Sequence, residues 1–415
     1  MNVLQFGIYL PVALLSLVII GFLVFPFCMI CLSFLSPKRN KIVPSNPANE
    51  QTHFACIITV YQNIQIALPA VEALLKSKYD NYHIYLVADN CKAEHVSNLP
   101  FNSQKVTVLV PPVSFHAKVK SIQFAVEHFK YPHTHCLIFD ADNLAAETFL
   151  ATIHSYITVG YQAVQGRRTA KNLNTPYACA DAMGELYKNY IERYVPYLLG
   201  SSATIAGSGM AVETGLFIRF LQNPAICEAL AQQQVIVAED KMLQNYLATQ
   251  NVVIAFANDA IVYDEKVTQA AQVKRQRTRW LYAYFQNLPH ALNLVGSGLL
   301  GANLNRLIMG MFSLIPPMFL LLATACLLTA ANIVLLPVGW ALAMAIAIAI
   351  FGGTILWTLY LSQAPLVIWQ SLWVLPAFVF NQFLSLLQIR KAKYNFLTTT
   401  HTHSARINEV ENKNR

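Results

Sequence analysis

Charged side chains are absent from two long blocks of this 415-residue sequence. No Asp, Glu, Lys or Arg occurs from Met1 to Pro37, and none occurs between Arg306 and Arg390. Over the whole chain 55% of the residues are hydrophobic and 12% are charged, whereas about a quarter of an average soluble domain is charged. The two blocks are therefore predicted to lie in a lipid bilayer, on either side of a water-facing region.

The number of membrane spans follows from the length of each block. A helix needs about 20 apolar residues to cross the hydrocarbon core. The first block holds one span, roughly Tyr9 to Phe34, which is predicted to be a retained anchor because it lacks the basic start and cleavage pattern of a signal peptide. The second block is long enough for about three spans, predicted near residues 307–329, 333–361 and 365–388.

The basic residues that flank the spans indicate the orientation. Lys38, Arg39 and Lys41 directly follow the first span, so the positive-inside rule predicts an outside N-terminus and a cytoplasmic region over residues 38–306. Three further spans would leave the tail outside, yet residues 390–415 carry six basic and two acidic side chains, which favours the inside. The sequence leaves the side of the tail open.

The formal net charge of +8 does not call for a nucleic-acid partner. About half of it belongs to the tail, and anionic lipid headgroups are a sufficient partner for a basic segment beside a membrane. The predicted partner is therefore the bilayer itself, and no nucleic-acid partner is predicted.

Changes in composition divide the chain into six predicted regions. These are the anchor at 1–36, a Pro- and Asn-rich linker at 37–52, a water-facing domain at 53–270, interfacial helices at 271–304, membrane segments at 305–389 and a basic tail at 390–415.

Strand and helix patterns alternate through the water-facing domain. Buried strands are predicted at Phe54–Tyr61, His83–Ala88, Lys105–Val110 and His135–Phe139, and helices at about 64–78, 116–129 and 146–158. Such a series predicts an α/β fold with a doubly wound, mostly parallel sheet, flanked here by transmembrane helices. In sheets of this kind ligands bind beyond the carboxyl ends of the strands, near the point where the strand order reverses.

Carboxylates follow two of the predicted strands. Asp89 ends the second strand, and Asp140 and Asp142 follow the fourth. Two carboxylates two residues apart can share one octahedral cation, and Mg²⁺ and Mn²⁺ prefer carboxylate and phosphate oxygens. The alternative is an ordinary solvated turn that happens to be rich in Asp.

A second acidic pair, Glu239 and Asp240, precedes a predicted helix at 241–248. Asp240 can cap that helix and do nothing more. It can also act as a general base, because a carboxylate beside a sugar hydroxyl can accept its proton during bond formation.

A basic segment at 274–280 carries a further pattern. Gln276, Arg279 and Trp280 fall at i, i+3 and i+4, so one face of a helix would carry all three. There an Arg can clamp a phosphate and a Trp can stack on a sugar ring. The alternative is a basic amphipathic helix on the membrane surface with Trp280 as its anchor, and both interpretations can hold together.

This ordered set of motifs between membrane spans resembles the processive family 2 glycosyltransferases, such as cellulose, chitin, hyaluronan and poly-N-acetylglucosamine synthases. The resemblance runs from about Phe54 to Trp280 and extends to the layout of the spans. It implies a GT-A fold in the plasma (inner) membrane, with Mg²⁺ or Mn²⁺ as cofactor. The implied reaction is inverting transfer of a hexose or N-acetylhexosamine from a nucleotide-sugar, expected to be UDP-linked, to a growing β-linked polysaccharide. Accessory secretion subunits are further partners that such enzymes can have.

The resemblance also implies roles for particular residues. The donor would be bound by Tyr61, Asp89, Lys118 and Asp140, with Tyr61 and Asp89 near the nucleoside and Asp140 at the donor sugar or ribose. Asp142 would bind the metal, and Asp240 would be the catalytic base. The acceptor and the pyrophosphate would be contacted by Gly207, Ser208, Gly209, Glu239, Gln276, Arg279 and Trp280.

Some residues depart from the family pattern. Gln62-Asn63 stands where the family often has Asn-Glu, Asn90 follows Asp89 where a second Asp is common, and Ala117 and Val119 replace the glycines around Lys118. Two rival functions stay open: transfer of a single sugar to a lipid, as in ceramide glucosyltransferases, and a non-catalytic membrane scaffold or transporter.

Overall fold

The structure is a computed structural model that describes residues 3–36, 52–101, 104–232, 236, 238–386, 407 and 409–410. The predicted linker, the basic residues after the first span and most of the predicted basic tail lie outside these residues.

Eight strands form one mixed sheet in the order β3-β2-β1-β4-β7-β6-β8-β5. The strands are β1 Phe54–Tyr61, β2 Tyr82–Asp89, β3 Val106–Leu109, β4 His135–Asp140, β5 Leu144–Ala145, β6 Ala163–Ala170, β7 Met210–Glu213 and β8 Ile254–Asp264. The pairings β3-β2, β2-β1, β1-β4 and β6-β8 are parallel, and the others are antiparallel. The four predicted strands are confirmed to within two residues at each end, and they form the parallel half.

Between the strands and after them, the described residues form ten helices, a 3-10 turn and a π-helical segment. The helices are α2 Leu68–Leu75, α3 Ala93–Ser97, α4 Lys118–Glu127, α5 Phe149–Thr158, α6 Pro176–Tyr187, α7 Val195–Leu198, α8 Thr214–Leu221, α9 Pro224–Ala231, α10 Glu239–Thr249 and α11 Ala270–Leu300. The 3-10 turn covers Ile64–Ala67, and the π-helical segment Lys188–Tyr194 joins α6 to α7.

The central strands are continuous apolar runs in the sequence because both of their faces are buried. All eight residues of β2 are buried, and most residues of β1 and β4 are buried as well. Strands covered on both faces have no polar face to alternate with. The strand order reverses between β1 and β4, so their carboxyl ends border the crevice where a ligand is expected.

Three apolar helices are long enough to cross a membrane within the described residues. They are Tyr9–Leu35, which is most of α1 (Val3–Leu35), α13 (Met318–Leu335) and α14 (Val338–Leu361). α1 packs against both others: Ser16 Oγ donates to Asn332 Oδ1 of α13 at 3.1 Å, and Phe34 stacks on Trp357 of α14 with ring centroids 5.7 Å apart.

Where about three C-terminal spans were predicted, the described residues contain two helices that are long and apolar enough to cross a membrane. Proline breaks the predicted span 307–329: α12 (Leu304–Leu314) ends before Pro316-Pro317, and α13 begins after them. Proline lacks an N–H and disfavours helix in the preceding residue. α14 lies inside the predicted span 333–361 and begins after Pro337.

The predicted third span, 365–388, is also not one long helix. It consists of α15 (Leu366–Gln370), a 3-10 turn (Leu372–Val374) and α16 (Leu375–Leu386). These short pieces pack on the water-facing domain, where Phe378 lies 6.2 Å from Tyr177 of α6 by ring centroids. Within the described residues 365–386, none of these helices reaches the length of about 20 residues that a span requires.

Two residues of the predicted tail contact the sheet domain. Ile407 and Val410 are 3% and 2% exposed and pack against Ala73 of α2, Leu144 of β5 and Tyr263 of β8. Ile407 and Val410 are therefore in contact with the water-facing domain, at the edge of the sheet formed by β5.

Candidate active site

The register of the parallel strands brings three predicted site residues to one edge of the sheet. Tyr61 at the end of β1 pairs with Asp89 at the end of β2. On the other side of β1, Thr59 pairs with Asp140 at the end of β4. Tyr61, Asp89 and Asp140 thus lie at the carboxyl ends of three neighbouring strands, beside the switch point between β1 and β4.

Asp89 is engaged within the protein. Its two carboxylate oxygens accept hydrogen bonds from the backbone N–H groups of Phe115 and His116, at 3.0 and 3.1 Å. His116 Nδ1 in turn lies 2.8 Å from the Tyr61 hydroxyl. Asp89 therefore holds the loop before α4 against the strand ends, and it orients Tyr61 through His116. Its predicted contact with a nucleoside remains a prediction.

Three non-glycine residues with left-handed backbone lie at this edge. They are Gln62 after β1, Asn90 after β2 and His116 before α4, with φ of 66°, 54° and 48°. Positive φ is uncommon for side chains other than glycine, and such strain concentrates at functional sites. His116 cannot be recognised from the sequence, because this backbone state and its contact with Tyr61 have no local sequence signal.

Lys118 connects three of the predicted motifs. Its Nζ donates to Asp140 Oδ1 at 2.5 Å and to the backbone oxygen of Gly207 at 3.0 Å. It also lies 3.8 Å from Glu239 Oε1. Lys118 is the first residue of α4, so the start of this helix brings the amine to the strand ends.

The charges around Lys118 shift the neighbouring pKa values in opposite directions. Burial alone would raise the pKa of Asp140, but Lys118 and Arg168 hold it below its ordinary value. Burial raises the pKa of Glu239, and the adjacent Asp240 raises it further, against the opposing effect of Lys118. Asp140 is therefore held as an anion, whereas Glu239 binds a proton more readily than an exposed Glu.

Asp240 lies in the first turn of α10, where a carboxylate is favoured by the helix dipole. Its Oδ1 accepts a hydrogen bond from the backbone N–H of Lys241 at 2.8 Å. Gly207 lies beside it: a Cβ on Gly207 would be 3.6 Å from Asp240 Oδ2. The backbone φ of +82° at Gly207 is one that glycine adopts at least cost.

The other two residues of the predicted acceptor loop, Ser208 and Gly209, form backbone hydrogen bonds with strands of the sheet. Ser208 is fully buried, and its backbone oxygen accepts from Gln165 Nε2 at 3.0 Å. Gly209 has a φ of +62°, and its N–H donates to the backbone oxygen of Ile138 at 2.8 Å. Within this loop, Gly207 is thus the residue that borders Asp240.

A small cavity opens beside these groups. Its polar lining consists of Lys118, Glu239 and Asp240, and its remaining walls are mostly apolar side chains from α4, α8 and neighbouring elements. A carboxylate and an amine at the rim of an apolar cavity can orient a sugar that carries both hydroxyl groups and apolar ring faces.

The residues predicted to bind a metal supply few ligands by themselves. Asp142 is 6% exposed, and its Oδ2 accepts the backbone N–H of Glu265 at 2.9 Å. Within the described residues no group of three His, Cys, Asp or Glu side chains converges on a common point. Asp140 and Asp142 nevertheless fit Mg²⁺ or Mn²⁺, because such ions are often held by one or two carboxylates together with substrate phosphates and water.

α11 carries the predicted Gln276, Arg279 and Trp280 as a continuous helix. Gln276 Oε1 is buried and has no hydrogen-bond partner in the part of the chain that the structure describes. A buried oxygen without a partner is costly unless a ligand or water satisfies it. Arg279 is half-buried, and Trp280 is 38% exposed.

Two residues that the sequence analysis did not single out flank Trp280. The Arg277 guanidinium carbon lies 4.2 Å from the Trp280 ring centroid, and Lys188 Nζ lies 4.5 Å from it. Arg277 also donates to Asp181 Oδ1 at 2.6 Å. These contacts join α11 to α6 and to the π-helical segment, and no local pattern predicts them.

Buried ion pairs fix the same segment to the sheet. Glu185 accepts hydrogen bonds from Arg193 at 2.7 Å and from Lys266 at 3.4 Å. Lys266 also pairs with Asp264 at 3.0 Å, and Arg168 pairs with Asp264. Removal of one partner from such a network leaves an uncompensated buried charge. The network therefore holds the π-helical segment in position beside β6 and β8.

Comparisons with known proteins agree with this geometry. The model of the family described as "Glycosyltransferase like family 2" matches residues 51–283, which is more than half of the chain. No curated protein matches the chain.

Among solved structures, the chain is similar to the mannosyltransferase PcManGT from Pyrobaculum calidifontis, which was determined in complex with GDP-Man and Mn²⁺. The two share 14% identity and a TM-score of 0.58, and the match covers 91% of this chain and 99% of that one. The likeness identifies the fold as GT-A, and the match to the family model over residues 51–283 identifies the chain as a member of glycosyltransferase family 2.

Proposed function

We propose that this protein is an inverting, metal-dependent glycosyltransferase that transfers a hexose or N-acetylhexosamine from a nucleotide-sugar to an acceptor at the membrane surface. The contact of Lys118 with Asp140, Gly207 and Glu239 carries the proposal. It joins the predicted donor-binding aspartate, acceptor loop and acidic pair around one cavity. We expect a UDP-linked donor from the resemblance to the processive synthases, and a GDP-linked donor is the alternative that the structural neighbour suggests.

The proposed reaction is a single displacement. Asp240 accepts the proton of an acceptor hydroxyl, whose oxygen forms a bond to the anomeric carbon as the bond to the nucleoside diphosphate breaks. The leaving diphosphate takes the electron pair, and attack from the far side inverts the anomeric centre. Asp142 would hold Mg²⁺ or Mn²⁺, which when bound would stabilise negative charge on the departing diphosphate, and Asp140 would contact the donor sugar or ribose.

The arrangement of the apolar helices favours a lipid acceptor. α1, α13 and α14 pack on one another through buried side chains, including Leu23, Leu321 and Met344. A hydrophilic polymer needs a lined path to cross hydrocarbon, and a closely packed group of three helices supports an anchor better than such a path. Transfer of a single sugar to a lipid is therefore the acceptor chemistry that we propose first.

A growing β-linked polysaccharide is the second candidate acceptor. It is favoured by the ordered set of Asp89, Asp140, Asp142, Asp240 and the Gln276 to Trp280 motif, because that set resembles the processive synthases. In that case further chains, such as accessory secretion subunits, would have to complete the path for the polymer.

We further propose that the catalytic domain and the C-terminal tail lie on the cytoplasmic side. Contacts of Ile407 and Val410 with Tyr263 support a common side for the tail and the domain. Two spans after the domain, α13 and α14, are consistent with this arrangement. The basic residues after the first span then favour the cytoplasm, with the N-terminus outside. The domain bounds 53–270 and 271–304 are part of the same proposal.

A donor screen tests the proposed function. Full-length protein in nanodiscs is given UDP- and GDP-linked sugars with Mn²⁺, Mg²⁺ or a chelator, and nucleotide release and product mass are measured. We expect metal-dependent release from one donor class. A product of one defined mass on extracted lipid indicates single transfer, and a size ladder indicates a polymer.

A variant of the predicted metal ligand tests the metal role separately. Asp142→Ala is expected to lose metal-dependent donor affinity, whereas Asp80→Ala, at a surface aspartate that is 88% exposed, serves as the matched control. Absence of nucleotide release from every donor would contradict the proposed function. Unchanged donor affinity in Asp142→Ala would contradict the metal role alone.

A further inference from the structure

The indole of Trp280 is contacted by cations. Lys188 Nζ lies 4.5 Å and the Arg277 guanidinium carbon 4.2 Å from its ring centroid. A sugar that stacked on this ring would compete with both side chains for the ring face. The residue that was expected to stack on a neutral acceptor sugar is thus part of a positively charged group.

Lys188 lacks an acidic partner in contact. Within the described residues no carboxylate forms an ion pair with its Nζ, although Glu185 and Glu192 lie nearby. Burial lowers the pKa of Lys188 to about 8, and the nearby cations Arg277 and Lys241 lower it as well, whereas Glu192 and Glu185 oppose them. An anion beside Lys188 would stabilise the protonated amine.

The neighbouring acids are committed to other cations. Glu185 accepts hydrogen bonds from Arg193 and Lys266, and Asp181 accepts one from Arg277. Of Lys188, Arg193, Lys266 and Arg277 in the described part of the chain, Lys188 is the one with no carboxylate within ion-pair distance, so its ammonium group can meet an anionic ligand. It is also the first residue of the π-helical segment, a rare backbone form that occurs frequently at functional sites.

The position of this group relates it to the membrane. Tyr187, the residue before Lys188, lies 6.3 Å from Phe351 of the apolar helix α14 by ring centroids. On the other side, Arg277 lies 5.6 Å from the ring of Phe378 in α16. Lys188 and Trp280 thus lie where the catalytic domain packs against the apolar helices α14 and α16.

We infer that Lys188, beside Trp280, binds the phosphate group of a lipid acceptor. A phosphate meets an ammonium group through charge-assisted hydrogen bonds. The buried Gln276 Oε1 without a partner, on the same helix as Trp280, offers a hydrogen-bond acceptor to a hydroxyl of that acceptor. The inference rests on the proposed function, since it specifies the acceptor class for the same site.

Binding of a matched pair of lipids tests the inference without turnover. Full-length protein in phosphatidylcholine nanodiscs is titrated by calorimetry with farnesyl phosphate and with farnesol, which differ only in the phosphate. We expect farnesyl phosphate to bind at least about ten-fold more tightly, as one charge-assisted contact predicts. Lys188→Gln should remove this preference, Lys188→Arg should retain it, and Lys130→Gln, at an exposed lysine, should leave it unchanged.

A second titration distinguishes the two sources of phosphate. With Mn²⁺ present, UDP and GDP should bind to Lys188→Gln as they do to the wild type. Loss of nucleoside diphosphate binding with unchanged farnesyl phosphate binding would assign Lys188 to the donor and overturn the inference. Equal binding of farnesyl phosphate by wild type and Lys188→Gln would overturn it as well.

A second variant guards against unfolding, and nucleotide release separates failure of this inference from failure of the proposed function. Should Lys188→Gln unfold, Lys188→Met carries the same expectation, because it keeps an apolar stem of similar length beside Trp280. A wild type that releases no nucleotide from any donor contradicts the proposed function, whereas a wild type that releases nucleotide but shows no preference for farnesyl phosphate contradicts only this inference.

Discussion

Lys118 Nζ lies 2.5 Å from Asp140 Oδ1, at the point where α4 begins and β4 ends. The same amine reaches the backbone oxygen of Gly207 and approaches Glu239. A single cation thereby fixes the distance between the two acidic motifs, one on each side of the cleft. Its removal should affect both sides at once.

We predict that Lys118→Met lowers the rate of nucleotide release at least ten-fold, about 1.4 kcal/mol in the barrier. The loss follows because Asp140 would keep its negative charge without its nearest cation, close to the negative diphosphate of the donor. Steady-state nucleotide release measures it. Lys120→Met, on the same helix, is the control, and a rate for Lys118→Met within two-fold of that control would contradict the prediction.

Asp240→Asn should reduce turnover by about 10²–10⁴-fold and spare donor binding, as expected for loss of a general base. Glu239→Gln should have a much smaller effect on turnover, because Glu239 Oε1 lies 3.8 Å from the Lys118 amine and is engaged with that cation. Turnover and donor affinity are measured separately for both variants. A larger loss of turnover in Glu239→Gln than in Asp240→Asn would assign the role of base to Glu239. Glu94→Gln, at an exposed position, serves as the control.

Stability should fall as the pH drops below about 6.5, because of a buried histidine cluster at the other end of the strands. Burial lowers the pKa of His133 to about 3 and the pKa values of His83 and His135 to about 4. The unfolded chain therefore binds protons between pH 6.5 and 4 that the folded chain does not. For each histidine, the free energy of unfolding falls by up to about 1.4 kcal/mol per pH unit as the pH drops through that window. Above pH 6.5 the histidines have no such effect.

The thermal midpoint at pH 7 and pH 5 measures this dependence. His133 Nε2 lies 2.8 Å from the Tyr85 hydroxyl, so His133→Gln can keep a polar contact while removing one titrating group. The difference between the two midpoints should be smaller in His133→Gln than in the wild type. The exposed His95→Gln should leave it unchanged, and a wild-type midpoint that is independent of pH would refute the prediction.

The double variant Ile407→Asp, Val410→Asp should release the end of the chain from the sheet domain. Both side chains are almost fully buried against Ala73, Leu144 and Tyr263, and full burial of such a side chain contributes about 1.5–3 kcal/mol. Faster trypsin cleavage after Arg406 measures the release. Glu409→Gln, at an exposed position between them, should cleave like the wild type, and equal cleavage of the double variant would contradict the packing.

Local sequence patterns were sufficient for much of the fold and part of the site. The absence of charge over Met1–Pro37 and residues 307–389 indicated the apolar helices, because burial of a charge in hydrocarbon is costly regardless of the fold. Apolar runs that end in acid indicated the parallel strands and placed Asp89 and Asp140 at one edge. These features depend on the periodicity of apolar residues and on residues that are adjacent in the sequence, and both can be seen in the sequence itself.

The number of helices long enough to span a membrane depended on proline positions and on packing against the catalytic domain. Pro316-Pro317 divides an apolar block that was long enough for another span, and α16 packs against the catalytic domain through Phe378. Length and composition alone do not distinguish an apolar segment that crosses a membrane from one that packs on a domain surface. The choice depends on the partner surface, here Tyr177 of α6.

Only the tertiary structure brought distant residues together in the site. Lys118 meets Asp140 and Glu239, Asp89 holds His116, and Lys188 meets Trp280 across 92 residues of chain. Such contacts depend on which elements pack side by side, and many folds are compatible with the same local pattern. The sequence by itself determined which residues had the chemistry for sugar transfer at a membrane, and the fold decided which of them act as neighbours.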